Sequence, residues 1–291
     1  MTATSPPEPT ERQVVVGSFG WNLGEIGEGS PVVLLHGWPD AWRLWRYQLP
    51  ALAASGRRAI APDLPGLGRS ARPGSLDGYR LDRVASAVLE LFDALGIERC
   101  AVVGHDWGAA LAWVLAALAP DRIERLVAVS VGHPGAFAGA GSAQRQRSWY
   151  VLWFLFPGVA ETVLSAGSFG GLRRFLAAAS NQVEDADLER QVADLSRPGA
   201  LAASLSWYRA NFSPETFLVD ERPALPPVRC PTMGIWSSGD VALTEQQMTG
   251  SARFVEGGRW RYERLEDVDH WIPVRAAQSL NELLLDFFSE G

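Results

Sequence analysis

The feature that most constrains this chain is the corner Gly104-His105-Asp106-Trp107-Gly108. A short apolar run at 100–103 precedes it, and a longer one at 109–119, closed by Pro120, follows it. A short apolar run, a tight corner and a long apolar run predict a buried strand, a turn and a buried helix. Small residues at both ends let strand and helix meet closely, and the middle side chain is thrown outward at the C-terminal edge of a sheet. That side chain is Asp106. A carboxylate there is ionised near neutral pH and attacks without a base. It suits displacement at a saturated carbon, with an ester as the intermediate. An Asp at the start of a helix also serves as a plain N-cap. The glycine spacing and the strand–turn–helix setting favour the nucleophile.

The stretches 31–36, 58–61, 100–103 and 125–130 are apolar on both faces, as central parallel strands must be. Helical patterns separate them. One carries Val84, Val88, Leu91, Phe92 and Leu95 on one face, with Asp82 as the predicted cap and Gly96 as the stop. Segments 13–19 and 21–26 read as a leading hairpin. This alternation predicts an α/β fold whose parallel sheet is covered by helices on both sides. The alternation stops after Ser130. Helical stretches at 143–156, 169–180, 186–195 and 200–212 follow, separated by Pro/Gly breaks, and a strand pattern resumes at 232–236 after a Pro-rich run at 223–231. A helical block spliced into a sheet predicts a lid, with the core at 12–133 and 221–291 and the cap at 134–220.

Composition narrows the function classes. The 33 acidic and 26 basic residues give a net charge of -7, and every basic residue is Arg. Without a basic run the chain is a poor partner for nucleic acid or for an anionic membrane surface. The absence of Lys fits a GC-rich, bacterial genome. Segment 1–13 is polar and Pro-rich and lacks the pattern of a signal peptide, so a cytoplasmic location is expected. Cys100 and Cys230 each sit in strand-like apolar runs and read as buried thiols. No cysteine cluster points to a metal, and no cofactor is expected.

Two further segments complete a candidate site. His36-Gly37-Trp38-Pro39 ends an earlier central strand, where a backbone N–H can face an oxyanion. The N–H groups of Trp38 and Trp107 are the expected donors. Of the four histidines, His36, His105, His133 and His270, only His270 comes late enough to be the base in the order nucleophile, acid, base. Asp240, after the strand that follows the lid, has the place of its acid partner. Asp267 and Asp269 are nearer in sequence, but that does not set a carboxylate on the ring. His133 reads as structural or as a pocket-rim residue.

Together these residues resemble the α/β-hydrolase superfamily and, within it, the epoxide hydrolases. The resemblance runs from about Arg12 to Phe288 and includes the Asp corner, the HGWP loop and Gly66-Leu67-Gly68-Arg69-Ser70. It implies an eight-stranded, mostly parallel sheet with a helical cap over the strand ends, and a cis Trp38–Pro39 peptide. It also implies two cap tyrosines that hydrogen-bond the epoxide oxygen. Tyr150, ahead of Pro157-Gly158, and Tyr208, in Trp207-Tyr208-Arg209, match their places. An epoxide oxygen departs as an alkoxide, so two phenols aimed at it stabilise and protonate the developing charge. His36, Pro39, Trp149, Trp153, Trp207 and Trp271 are the expected contacts to the substrate. That substrate would be a small apolar epoxide, with water as the second reactant, acted on by a monomer or homodimer. The chain departs from the pattern at Phe156, where a polar residue is frequent, and at Asp269, where a small one is common.

Three other readings compete. Haloalkane dehalogenases share the Asp corner but need two halide-binding N–H groups. Here Trp38 stands where they hold Asn, so Trp149, Trp153 or Trp207 would have to supply the second. Fluoroacetate-type dehalogenases carry Arg beside the nucleophile, where this chain has Trp107 and Ala109. A ligand-binding homologue without turnover would have no need of all three of Asp106, Asp240 and His270.

Overall fold

A computed structural model of the chain describes residues 8–180, 185–218 and 225–290. Eight strands form one sheet in the order β1-β2-β4-β3-β5-β6-β7-β8. They are β1 Thr10–Val16, β2 Phe19–Ile26, β3 Ser30–Leu35, β4 Arg57–Pro62, β5 Cys100–His105, β6 Ile123–Val129, β7 Thr232–Ser237 and β8 Trp260–Leu265. The leading hairpin β1–β2 and the β2–β4 pair are antiparallel; every other pair is parallel. The sheet therefore begins at Thr10, slightly before the expected boundary. All six residues of β5 are buried, as a central strand with both faces covered requires.

Helices α1 Gln48–Ala54, α2 Leu81–Ala94 and α3 Trp107–Leu118 cover the first half of the sheet. Eleven residues of α3 are buried, from Trp107 to Ala117, so it packs on all sides. Burying a Leu or Val side chain contributes about 1.5–3 kcal/mol. In α2 the predicted apolar face is the buried one, but Asp82 does not cap it. Arg80 holds the N-cap position and Asp82 lies in the first turn, paired to Arg80 at 3.1 Å. The Leu81 N–H is taken by the Asn211 side chain at 2.9 Å, so the cap comes from across the molecule.

Between β6 and β7 the described residues hold seven helices and no strand: α4 Pro134–Ala138, α5 Gly141–Arg147, α6 Trp149–Phe154, α7 Val159–Ala179, α8 Asp185–Ser196, α9 Ala200–Asn211 and α10 Pro214–Leu218. The helix expected at 143–156 is broken at Ser148, and α7 starts at Val159, earlier than expected. Inside α7 the backbone leaves helical geometry from Ala166 to Phe169. The expected cap boundary at 220/221, the start of the Pro-rich run at 223, and residues 1–7 and 291 lie outside the described residues. The lid lies over loops that leave the C-terminal ends of β3 and β4. Trp207 donates to the Pro65 carbonyl at 2.9 Å, and Arg46 pairs with Asp187 at 2.8 Å. After β7 come α11 Glu245–Thr249, α12 Ile272–Arg275 and α13 Ala277–Ser289. Among the described residues no helix is long and apolar enough to cross a membrane. Cys100 and Cys230 are buried and free.

Candidate active site

β5 ends at His105 and α3 begins at Trp107, so Asp106 alone makes the corner. Its backbone sits at φ 54°, ψ -121°, which an L-residue adopts only where its surroundings impose it. The two glycines are imposed by the same crowding. A Cβ on Gly104 would overlap the Gly108 carbonyl, and one on Gly108 would overlap the backbone of Leu35 and His36. Asp106 occupies the N-cap position, yet its side chain makes no cap hydrogen bond. It points across to the loop after β3, where Oδ1 accepts from the Trp38 backbone N–H at 2.8 Å. The Trp107 backbone N–H lies against the same carboxylate and favours its ionised form. Both donors expected from the sequence therefore converge on this side chain. The Trp38–Pro39 peptide is cis.

His270 stands at the other oxygen. Its Nε2 lies 3.6 Å from Asp106 Oδ2, an ion-pair distance, and its Nδ1 lies 2.8 Å from Asp240 Oδ2. Asp240 is buried, and its second oxygen accepts from the N–H groups of Ala242 at 2.8 Å and Leu243 at 3.0 Å. Asp269 is turned away: Oδ1 accepts from the Trp271 N–H at 3.0 Å, and Oδ2 accepts from Ser180 Oγ. Asp267 is exposed. The His270 carbonyl accepts from His105 Nε2 at 2.8 Å and from Ser130 Oγ at 3.2 Å. Burial pushes the His105 pKa down to about 4, which keeps that ring neutral and fixes it as a donor at Nε2. His133 is structural: it stacks on Phe254 and accepts from the Gly135 N–H.

Burial opposes charge on both Asp106 and His270, but their surroundings outweigh it. Contact with His270 holds the Asp106 carboxyl below the usual carboxylate range. The Asp240 charge, with Asp106 adding, raises His270 well above its ordinary value. Both shifts favour a carboxylate beside an imidazolium.

Two cavity lobes open off Asp106 and share it with Tyr150 and Tyr208. The first lobe is apolar, with Leu81, Val131, Phe137, Phe212 and Leu243 in its wall. The second holds His270, Trp38, Trp271, Phe175, Trp149 and Arg147. Tyr150 on α6 and Tyr208 on α9 meet edge to face with ring centroids 6.2 Å apart. Burial raises both phenol pKa values, so both rings keep their protons.

Of the expected substrate contacts, Trp149 and Trp271 line the second lobe, whereas His36, Pro39, Trp153 and Trp207 line neither. His36 is buried, with Nδ1 2.9 Å from the Gly37 carbonyl and Nε2 accepting from the Leu64 N–H at 2.9 Å. Its ring pins two loops together and has no atom left for a ligand. Trp207 is buried and spends its indole N–H on Pro65. Trp153 packs on Phe154 and Phe175, and Pro39 is buried in its loop. The Gly66–Ser70 loop is likewise architectural: Ser70 Oγ bridges the Asp63 carbonyl and the Asn22 N–H.

Comparison with known proteins gives the same architecture. The family model of the alpha/beta hydrolase fold matches residues 30–275. Epoxide hydrolase A of Mycobacterium tuberculosis is 30% identical over 97% of this chain and 98% of its own length. The chain belongs to the α/β-hydrolase superfamily and, within it, to the epoxide hydrolase family. An AB hydrolase superfamily protein of Bacillus subtilis, YfhM, is also 30% identical, over 89% of this chain and 90% of its own. The crystal structure of epoxide hydrolase A from Mycobacterium thermoresistibile superimposes with a TM-score of 0.83 at 26% identity, covering 97% of this chain and 98% of that one.

Several residues of this α/β-hydrolase site carry no sequence signal. The wall of the first lobe is drawn from α2, α3, α4 and the segments around β6 and α9, and no local pattern marks those positions. Ser130 and His105 act on a backbone carbonyl 140 and 165 residues away. The ion pair makes a prediction for pH. A group whose pKa is raised on folding stabilises below its unfolded pKa and loses that contribution as pH rises through the folded value. For His270 the loss therefore begins above about pH 6.5. The wild-type Tm is expected to fall across the alkaline range, and the His270→Gln enzyme to show a flatter decline. Parallel Tm–pH curves for the two proteins would contradict the charged resting state.

Proposed function

We propose that this chain hydrolyses epoxides to vicinal diols through an ester on Asp106. The observation that carries the reading is that one carboxylate and two protonated phenols, from two helices of the lid, line the same cavity. The relatives named epoxide hydrolase support it. Asp106 Oδ1 is held by the Trp38 N–H, which leaves Oδ2 as the attacking oxygen. As Oδ2 bonds to carbon, the epoxide C–O bond breaks, and Tyr150 and Tyr208 stabilise the departing alkoxide. The proton carried by His270 at rest balances the alkoxide by way of a tyrosine. Ester formation also removes the Asp106 charge that helps to hold that proton on His270. The neutral imidazole, oriented by Asp240, then takes a proton from water, and hydroxide attacks the Asp106 carbonyl carbon. The Trp38 and Trp107 N–H groups hold the oxyanion. Collapse of the intermediate frees the diol, with the second water proton on the leaving oxygen, and restores the carboxylate–imidazolium pair.

In this reading 134–220 is the cap that delivers the phenols, and 12–133 with 221–291 is the core that holds the acid, the base and the nucleophile. The predominantly apolar walls suit an apolar epoxide. The indole N–H groups of Trp38 and Trp207 go to Ser204 Oγ at 3.0 Å and the Pro65 carbonyl at 2.9 Å, which leaves neither for a halide. The purified protein, offered aryl and alkyl epoxides beside haloalkanes, is expected to release diol and no halide. Halide release without diol formation would replace this reading with dehalogenation.

A further inference from the structure

Helices α5 and α6 meet at Ser148, and Tyr150 is the second residue of α6. Facing them is the turn 240–244 after β7, whose Asp240 holds His270. Gln144, on α5 and only 1% exposed, lies between the two. Its amide is fully used. Nε2 donates to the Ala242 carbonyl at 2.9 Å and to Ser148 Oγ at 2.8 Å. Oε1 accepts from the Thr244 N–H and the Thr244 hydroxyl, each at 2.8 Å. A buried amide with all its positions filled fixes the groups around it, because losing any partner strands a polar atom away from water. Arg147 reinforces the contact by donating to the carbonyls of Asp240 at 2.5 Å and Leu243 at 2.9 Å. The N–H groups of Ala242 and Leu243 in this same turn bond Asp240 Oδ1. Gln144 itself lines neither lobe of the cavity.

Building on the proposed function, we infer that Gln144 is a positioning residue that holds the Tyr150 phenol and the Asp240–His270 pair in one register, so that ester formation and ester breakdown both depend on it. Tyr150 stands two residues beyond Ser148, so freeing the Ser148 end of the contact shifts the phenol. Ala242 is the second residue after Asp240, so freeing its carbonyl loosens the turn that aims the carboxylate at His270.

The test separates the two steps in single-turnover experiments with an epoxide. Adduct formation and decay are followed by intact-mass spectrometry of quenched samples. Gln144→Met keeps the side-chain length and removes the hydrogen bonds. It is expected to slow both steps about tenfold or more, since a displacement of about 1 Å at reacting groups costs up to ~100-fold. In a Tyr150→Phe background its effect on ester formation should shrink to less than about twofold, while its effect on breakdown persists. In an Asp240→Asn background the effect on breakdown should shrink in the same way. A purely structural role would give losses that are the same in every background. Should the Met variant fail to fold, Gln144→Glu keeps the length and both Thr244 contacts and is put through the same cycle. A folded variant with both rates unchanged, or with losses indifferent to the background, overturns the inference. Wild-type protein that forms no ester on Asp106 overturns the underlying reading and this inference with it.

Discussion

Intact-mass spectrometry of a His270→Gln enzyme mixed with an epoxide is expected to show the protein plus one substrate mass, and peptide mapping to place that mass on Asp106. The geometry separates the two half-reactions. Asp106 needs no base to attack, and its Oδ1 is already bound by the Trp38 N–H. Without His270 the tyrosine that protonates the alkoxide regains its proton from water, so alkylation should slow but still run to completion. The ester, in contrast, is stable until water is activated, and the imidazole 3.6 Å from Oδ2 is the base in place to do so. Loss of a positioned general base costs about 10²–10⁴ in rate, so the adduct should accumulate while turnover nearly ceases. Asp240→Asn should act in the same direction, since Asp240 sets the tautomer through its 2.8 Å contact with Nδ1. Asp106→Ala should form no adduct at all. A His270→Gln enzyme that consumes epoxide without an adduct would rule out the covalent route and leave direct attack by water.

Replacing both lid tyrosines by Phe is expected to abolish alkylation of Asp106, while each single replacement slows it by about 10²–10³ as one oxyanion-type donor is lost. The change is confined to the hydroxyl. Tyr208 packs edge-on against Trp107 at 5.1 Å and against Phe154 at 4.9 Å, and Tyr150 packs on Phe154 and Phe175 at 5.5 and 5.7 Å. A Phe ring keeps every one of these contacts, so the fold and the cavity should survive. The readout is the rate of ester formation in single-turnover experiments, separate from ester breakdown, which should be little affected. A double mutant that alkylates Asp106 at the wild-type rate would remove the tyrosines from the mechanism.

The strands are legible because burial on two faces writes an apolar run into the sequence, and β3, β4, β5, β6 and β7 all fall on such runs. The corner at Asp106 was legible because two glycines are forced by backbone contacts within a few residues of one another or with the next strand. Local pattern misleads where distant contacts override it. Asp82 reads as a cap because Asp commonly is one, but Arg80 holds the N-cap position and Asn211, on another helix, accepts from the Leu81 N–H. The stretch 143–156 read as one helix because its composition is continuous. The chain turns at Ser148, whose hydroxyl takes part in the hydrogen bonds that tie α5 to the turn after β7.

By itself the sequence determined the chemical types: a carboxylate on a strand–helix corner, a histidine late in the chain and a helical insertion between two strands. Each of these follows from residue identity and short-range spacing. Only the tertiary structure decided which of Asp240, Asp267 and Asp269 reaches His270. It also turned His36 and Trp207 away from the cavity and brought His105 to the His270 carbonyl. The parallel neighbours β5, β6 and β7 place the ends of three distant segments side by side. Parallel strands meet only through long crossovers, so the partners at their ends are scores of residues apart, and no local periodicity records which of them will touch.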